Sequence, residues 1–188
     1  IMNLPVVAPL SVPAGIQAAS VAEGVRLVWK GTAPSYRIFR RLDSEKTFSP
    51  VADVDKTEWV DTAAEFGKPF HYELQAFQKT GETSEALSEI SPVFSIIPAD
   101  TFPPAVPAGL TAVPSTSSIE LLWDRNTEPD LAGYRIYRDS KRIGETGETP
   151  SYGDHDIQSG KQYRYAVSAV DKAGNESEPC APIEITAP

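Results

Sequence analysis

Acid–base or metal chemistry in this chain has two histidines to draw on, together with one cysteine and 26 carboxylates. His71 lies between Phe70 and Tyr72 in a segment whose apolar residues alternate, so its side chain is expected to point away from theirs. His155 lies in the run Asp154-His155-Asp156. Three adjacent ligands of these types can hold a divalent cation, and Asp-rich turns equally bond their own backbone; the sequence leaves both open. The acidic loop Asp124–Asp130 (DRNTEPD) lacks the dense aspartate spacing and the glycine of a calcium loop. Cys180 alone can form neither an internal disulfide nor a thiolate metal cage. No glycine-rich loop follows a strand and opens a helix, and no nucleophile has an evident base and orienting partner. The expectation is therefore no catalytic residue, no cofactor and no metal: not an enzyme.

The elements that would position such residues are short and numerous. The 17 prolines and 12 glycines among 188 residues mark frequent turns, and apolar side chains recur with period two. Examples are Val25, Leu27 and Trp29, then Phe70, Tyr72, Leu74 and Ala76, and again Tyr163, Tyr165, Val167 and Ala169. An all-β chain is expected. Its formal charge of −9 opposes affinity for phosphate backbones or anionic lipid, so nucleic acid is not an expected partner. No run of about 18 apolar residues is present to span a bilayer, and direct membrane insertion by this segment is not expected. The opening IMNLPVVAPLSVP is too broken by proline for a signal-peptide core. With no initial Met, either a leader has been removed or the chain is an excerpt of a longer one, and the excerpt is the expectation.

The chain also says the same thing twice. Pro13-Ala14-Gly15-Ile16 recurs 94 residues later as Pro107-Ala108-Gly109-Leu110, and Trp29 falls on Trp123. Ser35–Arg41 matches Gly133–Asp139 at offset 98, four extra residues being absorbed in the DRNTEPDLAG loop. Glu58–Asp61 matches Ser151–Asp154, and GKPFHYELQAFQKTGETSE matches GKQYRYAVSAVDKAGNESE, both at offset 93. Two domains of about seven short strands each follow, bounded at 13–97 and 107–188, with an N-terminal segment 1–12 and a Pro-rich linker 98–106. Pro98, Pro103, Pro104 and Pro107 restrict that linker, and Ile97 and Phe102 are expected to seat against the domains, giving an extended, semi-rigid pair.

A proline before the first strand, a Trp ending the second, a Tyr-x-Ile strand and the run Tyr163-x-Tyr-x-Val-x-Ala-Val-Asp-x-x-Gly-Asn-x-Ser together resemble tandem fibronectin type III domains. The stretches FPPAVPAGLTAV, NTEPDLAGYRIYR and AVSAVDKAGNES are similar to the type III repeats of bacterial secreted and surface proteins, and the tandem arrangement resembles that of acidobacterial lipoproteins. The resemblance implies two immunoglobulin-like β-sandwiches with Trp29, Trp123, Tyr36, Tyr134, Phe70 and Tyr163 in their cores. It places Tyr163 at a tyrosine corner whose hydroxyl bonds backbone near Ile157, while Phe70 leaves the first copy pinned by packing alone. Gly81 and Gly174-Asn175 are expected to form the last hairpin turn of each copy with positive φ. Asn175-Glu176-Ser177 is formally a glycosylation sequon but reads as that turn, and no Arg-Gly-Asp occurs.

For binding, the outward residues Arg37, Phe39, His71, Glu73 and Phe77 form one candidate face in the first copy. Arg135, Tyr137, Arg164 and Ser168 form its counterpart in the second. The competing account is that arginine stems cover the aromatics as ordinary cross-strand packing. The functional expectation is a non-catalytic spacer or protein-binding scaffold in a bacterial extracytoplasmic protein, lipid-anchored in one version, with a protein or cell-envelope partner and a monomeric state. The alternative is an accessory module of a secreted carbohydrate-active enzyme whose catalytic domain lies outside the chain. A carbohydrate-binding face would need a row of exposed aromatics, and Trp29, Trp123 and Trp59 are all assigned inward.

Overall fold

The computed structural model describes residues 8–188; the first seven residues of the 1–12 segment lie outside them. Two compact units divide between Asp100 and Thr101. Both are built entirely of antiparallel strands, as the period-two pattern requires.

In the first unit, β1 (Ala14–Val21), β2 (Gly24–Lys30) and β5 (Glu58–Asp61) form one sheet in the order β1-β2-β5. The facing sheet runs β4 (Ser49–Val54), β3 (Ser35–Leu42), β6 (Phe70–Lys79), β7 (Glu85–Ile90), and β8 (Phe94–Ile96) also pairs with β6. The seventh strand is thus broken into β7 and β8 around Pro92, which has no N–H to give a ladder. The second unit repeats the plan with seven strands. Here β9 (Thr111–Ser115), β10 (Ser118–Leu122) and β13 (Ser151–Asp154) face β11 (Leu131–Arg138), β12 (Lys141–Thr146), β14 (Gln162–Asp171) and β15 (Ile183–Thr186).

The inward side chains of the two sheets form each core. Val25, Leu27, Trp29, Tyr36, Ile38, Phe70, Tyr72, Leu74 and Ala76 are buried together in the first unit. Ile119, Leu121, Trp123, Tyr134, Ile136, Tyr163, Tyr165, Val167 and Ala169 take the matching places in the second. Each Trp meets a Tyr ring edge-on, Trp29 with Tyr36 at 5.4 Å and Trp123 with Tyr134 at 5.1 Å between ring centres. Trp59 and Tyr152 are partly buried against these cores.

The doubled PAG has a local cause. Gly15 and Gly109 hold φ of +62° and +69°, a left-handed conformation that a side chain disfavours, where the chain enters the first strand of each unit. In the first unit the β1–β2 register shifts at this point. The β11–β12 hairpin instead turns through two non-glycine residues, Asp139 and Ser140, both at positive φ. Gly174 does adopt positive φ, whereas Gly81 does not. Ile97 is 65% exposed rather than seated.

The repeat alignment also needs correcting after Lys79. In the first unit Ala76 N–H donates to Ser88 Oγ and Leu74 N–H to Ser91 Oγ; in the second, Ala169 N–H donates to Ser177 Oγ and Val167 N–H to Cys180 Sγ. SEIS (Ser88–Ser91) therefore corresponds to SEPC (Ser177–Cys180) at offset 89, and the first unit carries the longer hairpin. A one-offset alignment through GETSE and GNESE misses this because both happen to contain Ser-Glu.

Candidate functional site

The outward face of the four-strand side of each unit holds the residues singled out for binding. In the first unit Arg37 is forked onto Asp53, with Nε and Nη2 each 2.8 Å from a carboxylate oxygen, and Nη1 lies 3.2 Å from Glu85. These bonds raise the Arg37 pKa above its usual value, the hydrogen bonds to Asp53 first. The guanidinium lies over the Phe77 ring, 4.8 Å from its centre. Phe77 is consequently 5% exposed, which removes it from the accessible face even though alternation points it away from the core. Phe39 is half-buried opposite Glu73, whose pKa is raised by burial against the opposing charge of Arg41. His71 is clamped, with Nδ1 2.7 Å from Ser95 Oγ and Nε2 3.0 Å from Asp43.

In the second unit Glu176 gathers the face. Its carboxylate accepts from Arg135, Tyr137 and Ser168, so Ser168 is fully buried and not an exposed contact. Burial opposes ionisation of Glu176, but the bonds from Ser168, Tyr137 and Arg135 outweigh it and hold its pKa below the usual carboxylate value. Arg164 is exposed; its backbone N–H donates to Asp139 Oδ1 and its carbonyl accepts from Asp139 N–H. In the first unit Arg37 covers Phe77 within a cross-strand ion network, and in the second Tyr137 is bonded to the Glu176 carboxylate instead of being covered by an arginine.

The structure assembles a further constellation that sequence reasoning overlooked. Asp61 is 2% exposed and accepts Arg40 Nη1 through both oxygens, at 2.9 and 2.8 Å, and the Tyr72 hydroxyl at 2.7 Å. Asp154, 3% exposed, accepts Arg138 Nη1 at 2.8 Å and the Tyr165 hydroxyl at 2.6 Å, both on Oδ2, while Oδ1 accepts Asp156 N–H. The arginines continue over the rings of Phe70 and Tyr163, at 5.5 and 5.1 Å. A signal was present, because Arg40/Arg138, Asp61/Asp154 and Tyr72/Tyr165 coincide when the copies are aligned. A carboxylate occupied by a guanidinium and a phenol is a structural brace. Within Asp154-His155-Asp156, Asp154 is in the brace, Asp156 pairs with Arg138, and His155 is exposed.

Gln158 N–H donates to the Tyr163 hydroxyl at 2.9 Å; the oxygen accepts this bond rather than donating one. In the acidic loop, Glu128 accepts Ala105 N–H at 2.6 Å, Asn126 Nδ2 donates to Ala105 C=O, and Asn126 N–H donates to the Tyr134 hydroxyl. Cys180 is buried and serves as the acceptor for Val167.

No family model matches the chain. Among curated proteins it is similar to exoglucanase B of Cellulomonas fimi, 30% identical over 94% of this chain and 17% of that protein. It is also similar to an alpha-amylase of Niallia circulans, 37% identical over 62% of this chain and 9% of that protein. The chain thus spans less than a fifth of either relative. A solved two-domain fibronectin type III segment of chicken tenascin aligns over 93% of this chain and 99% of its own, with a TM-score of 0.59 at 16% identity. The fold is that of tandem fibronectin type III domains.

Proposed function

We propose that the chain is a non-catalytic spacer or scaffold module of a bacterial extracytoplasmic protein, and specifically an accessory module of a carbohydrate-active enzyme. The observation that carries this reading is the alignment of nearly the whole chain with a minor fraction of exoglucanase B, a pattern expected of a module shared between larger proteins. Its side chains support it: His71 and Asp154, the groups best placed by type for acid–base work, are held by Ser95 and Asp43, and by Arg138 and Tyr165. The lipid-anchored version draws no support from these relatives. No helix among the described residues is long and apolar enough to cross a membrane.

The module acts through geometry. Two braced sandwiches hold attached domains apart without contributing a reacting group. The test is sugar release from cellulose, starch and chitin by the purified 188-residue chain. No release above buffer is expected, and release that follows the protein through purification would overturn the non-catalytic reading.

A further inference from the structure

The corrected offset of 89 exposes a difference between the two units at identical fold positions. Along the last strand of the first unit, Leu87, Ile90 and Val93 are 50%, 48% and 49% exposed. The matching residues of the second unit are Glu176, Pro179 and Pro182, a charge and two prolines of the kind that blunt a sheet edge. Ser88 and Ser91 are buried between the exposed residues, and a bulge in the β6–β7 ladder sets Leu87 opposite Phe77 and Ile90 opposite Gln75, so both stand on the same face of the sheet. β7 is the terminal strand of its sheet. At the Val93 end the row runs into an apolar groove of about 350 Å³ lined by Val12, Pro13, Ile16, Pro92, Val93 and Phe94.

The charge carried by this segment itself is one-sided, although Lys79 of β6 stands opposite Glu85. Residues 80–98 contain Glu82, Glu85 and Glu89 and no Lys or Arg. Glu85 is joined to Arg37, while Glu82 and Glu89 make no ion pair among the described residues. A second copy laid antiparallel on the same edge would bring like charges together.

We propose that the β7 edge and its adjoining groove dock an extended, basic segment of a partner protein, which pairs main chain to main chain along Glu85–Ile90 and sets apolar side chains against Leu87, Ile90 and Val93. Pro92 ends the ladder, and beyond it the contact passes to the groove. The inference rests on the scaffold reading and gives that scaffold a partner chemistry.

The test is titration of the ¹⁵N-labelled 188-residue chain with two synthetic octapeptides, one alternating Val and Lys and the other alternating Val and Glu. The Val-Lys peptide is expected to shift and protect amides in Glu85–Phe94, with the Val-Glu peptide binding at least about tenfold more weakly. Leu87→Glu combined with Ile90→Ser and Val93→Ser should abolish the response while leaving the rest of the spectrum unchanged. Should that variant lose dispersion, Val93→Ser alone must still weaken binding. No shifts, equal response to both peptides, or equal response on the second unit would overturn the proposal, as would sedimentation showing that the edge is occupied by a second copy. A negative titration leaves the module reading standing, since sugar release tests that separately.

Discussion

Asp61 and Asp154 show how much a single buried carboxylate can organise. Each is removed from water, and each recovers its solvation from a guanidinium and a phenol. Removing one partner strands the others, so Asp154→Ala is expected to cost the second unit about 3–5 kcal/mol in denaturant unfolding. Glu58→Ala, at the exposed Arg26–Glu58 pair, is expected to leave stability unchanged and serves as the control. The phenols give a second prediction. Burial first, and then the bond to the aspartate, raise the pKa of Tyr72 and of Tyr165. The folded chain therefore keeps these protons to higher pH than the unfolded chain does. The resulting stability is present below about pH 10, the unfolded tyrosine value, and is lost as pH rises beyond it. A Tyr72→Phe, Tyr165→Phe double variant should start less stable at pH 8 and lose less between about pH 9.5 and 11.5, measured as melting temperature against pH. An unchanged slope would remove the phenols from alkaline unfolding.

At the scale of the element, the last strand of each unit is where sequence reading and structure part. Period two identified the strands, and the fibronectin type III resemblance assigned Trp29, Tyr36, Trp123 and Tyr134 to the cores where they lie buried. Alternation failed for Phe77 and Ser168, which point away from the core and are buried under Arg37 and Glu176. Cover of this kind depends on which long side chain folds over a neighbour, and alternation carries no information about that. The last strand was misaligned because side chains replace part of its ladder: Ser88, Ser91, Ser177 and Cys180 accept from the backbone of β6 and β14. Thiol sulfur is the weaker acceptor, so Cys180→Ser, copying Ser91, should leave the second unit equally stable or up to about 1 kcal/mol more stable. Cys180→Ala leaves Val167 N–H unsatisfied and should be the least stable of the three. An order with Ala above Ser would show that the acceptor does not matter.

For the whole molecule, the repeat and the all-β plan were legible because they follow from spacing, which every residue helps to encode. The brace was legible only in retrospect, from charges that coincide between copies. On the proposed module reading, a carbohydrate-active domain adjoins these repeats in the parent protein. Intact-mass and peptide mapping of the native protein tests this most directly. The module reading predicts peptides running continuously from these repeats into a carbohydrate-active domain. A mature protein consisting of the repeats behind a lipid-modified N-terminal cysteine, with no further domain, would contradict it.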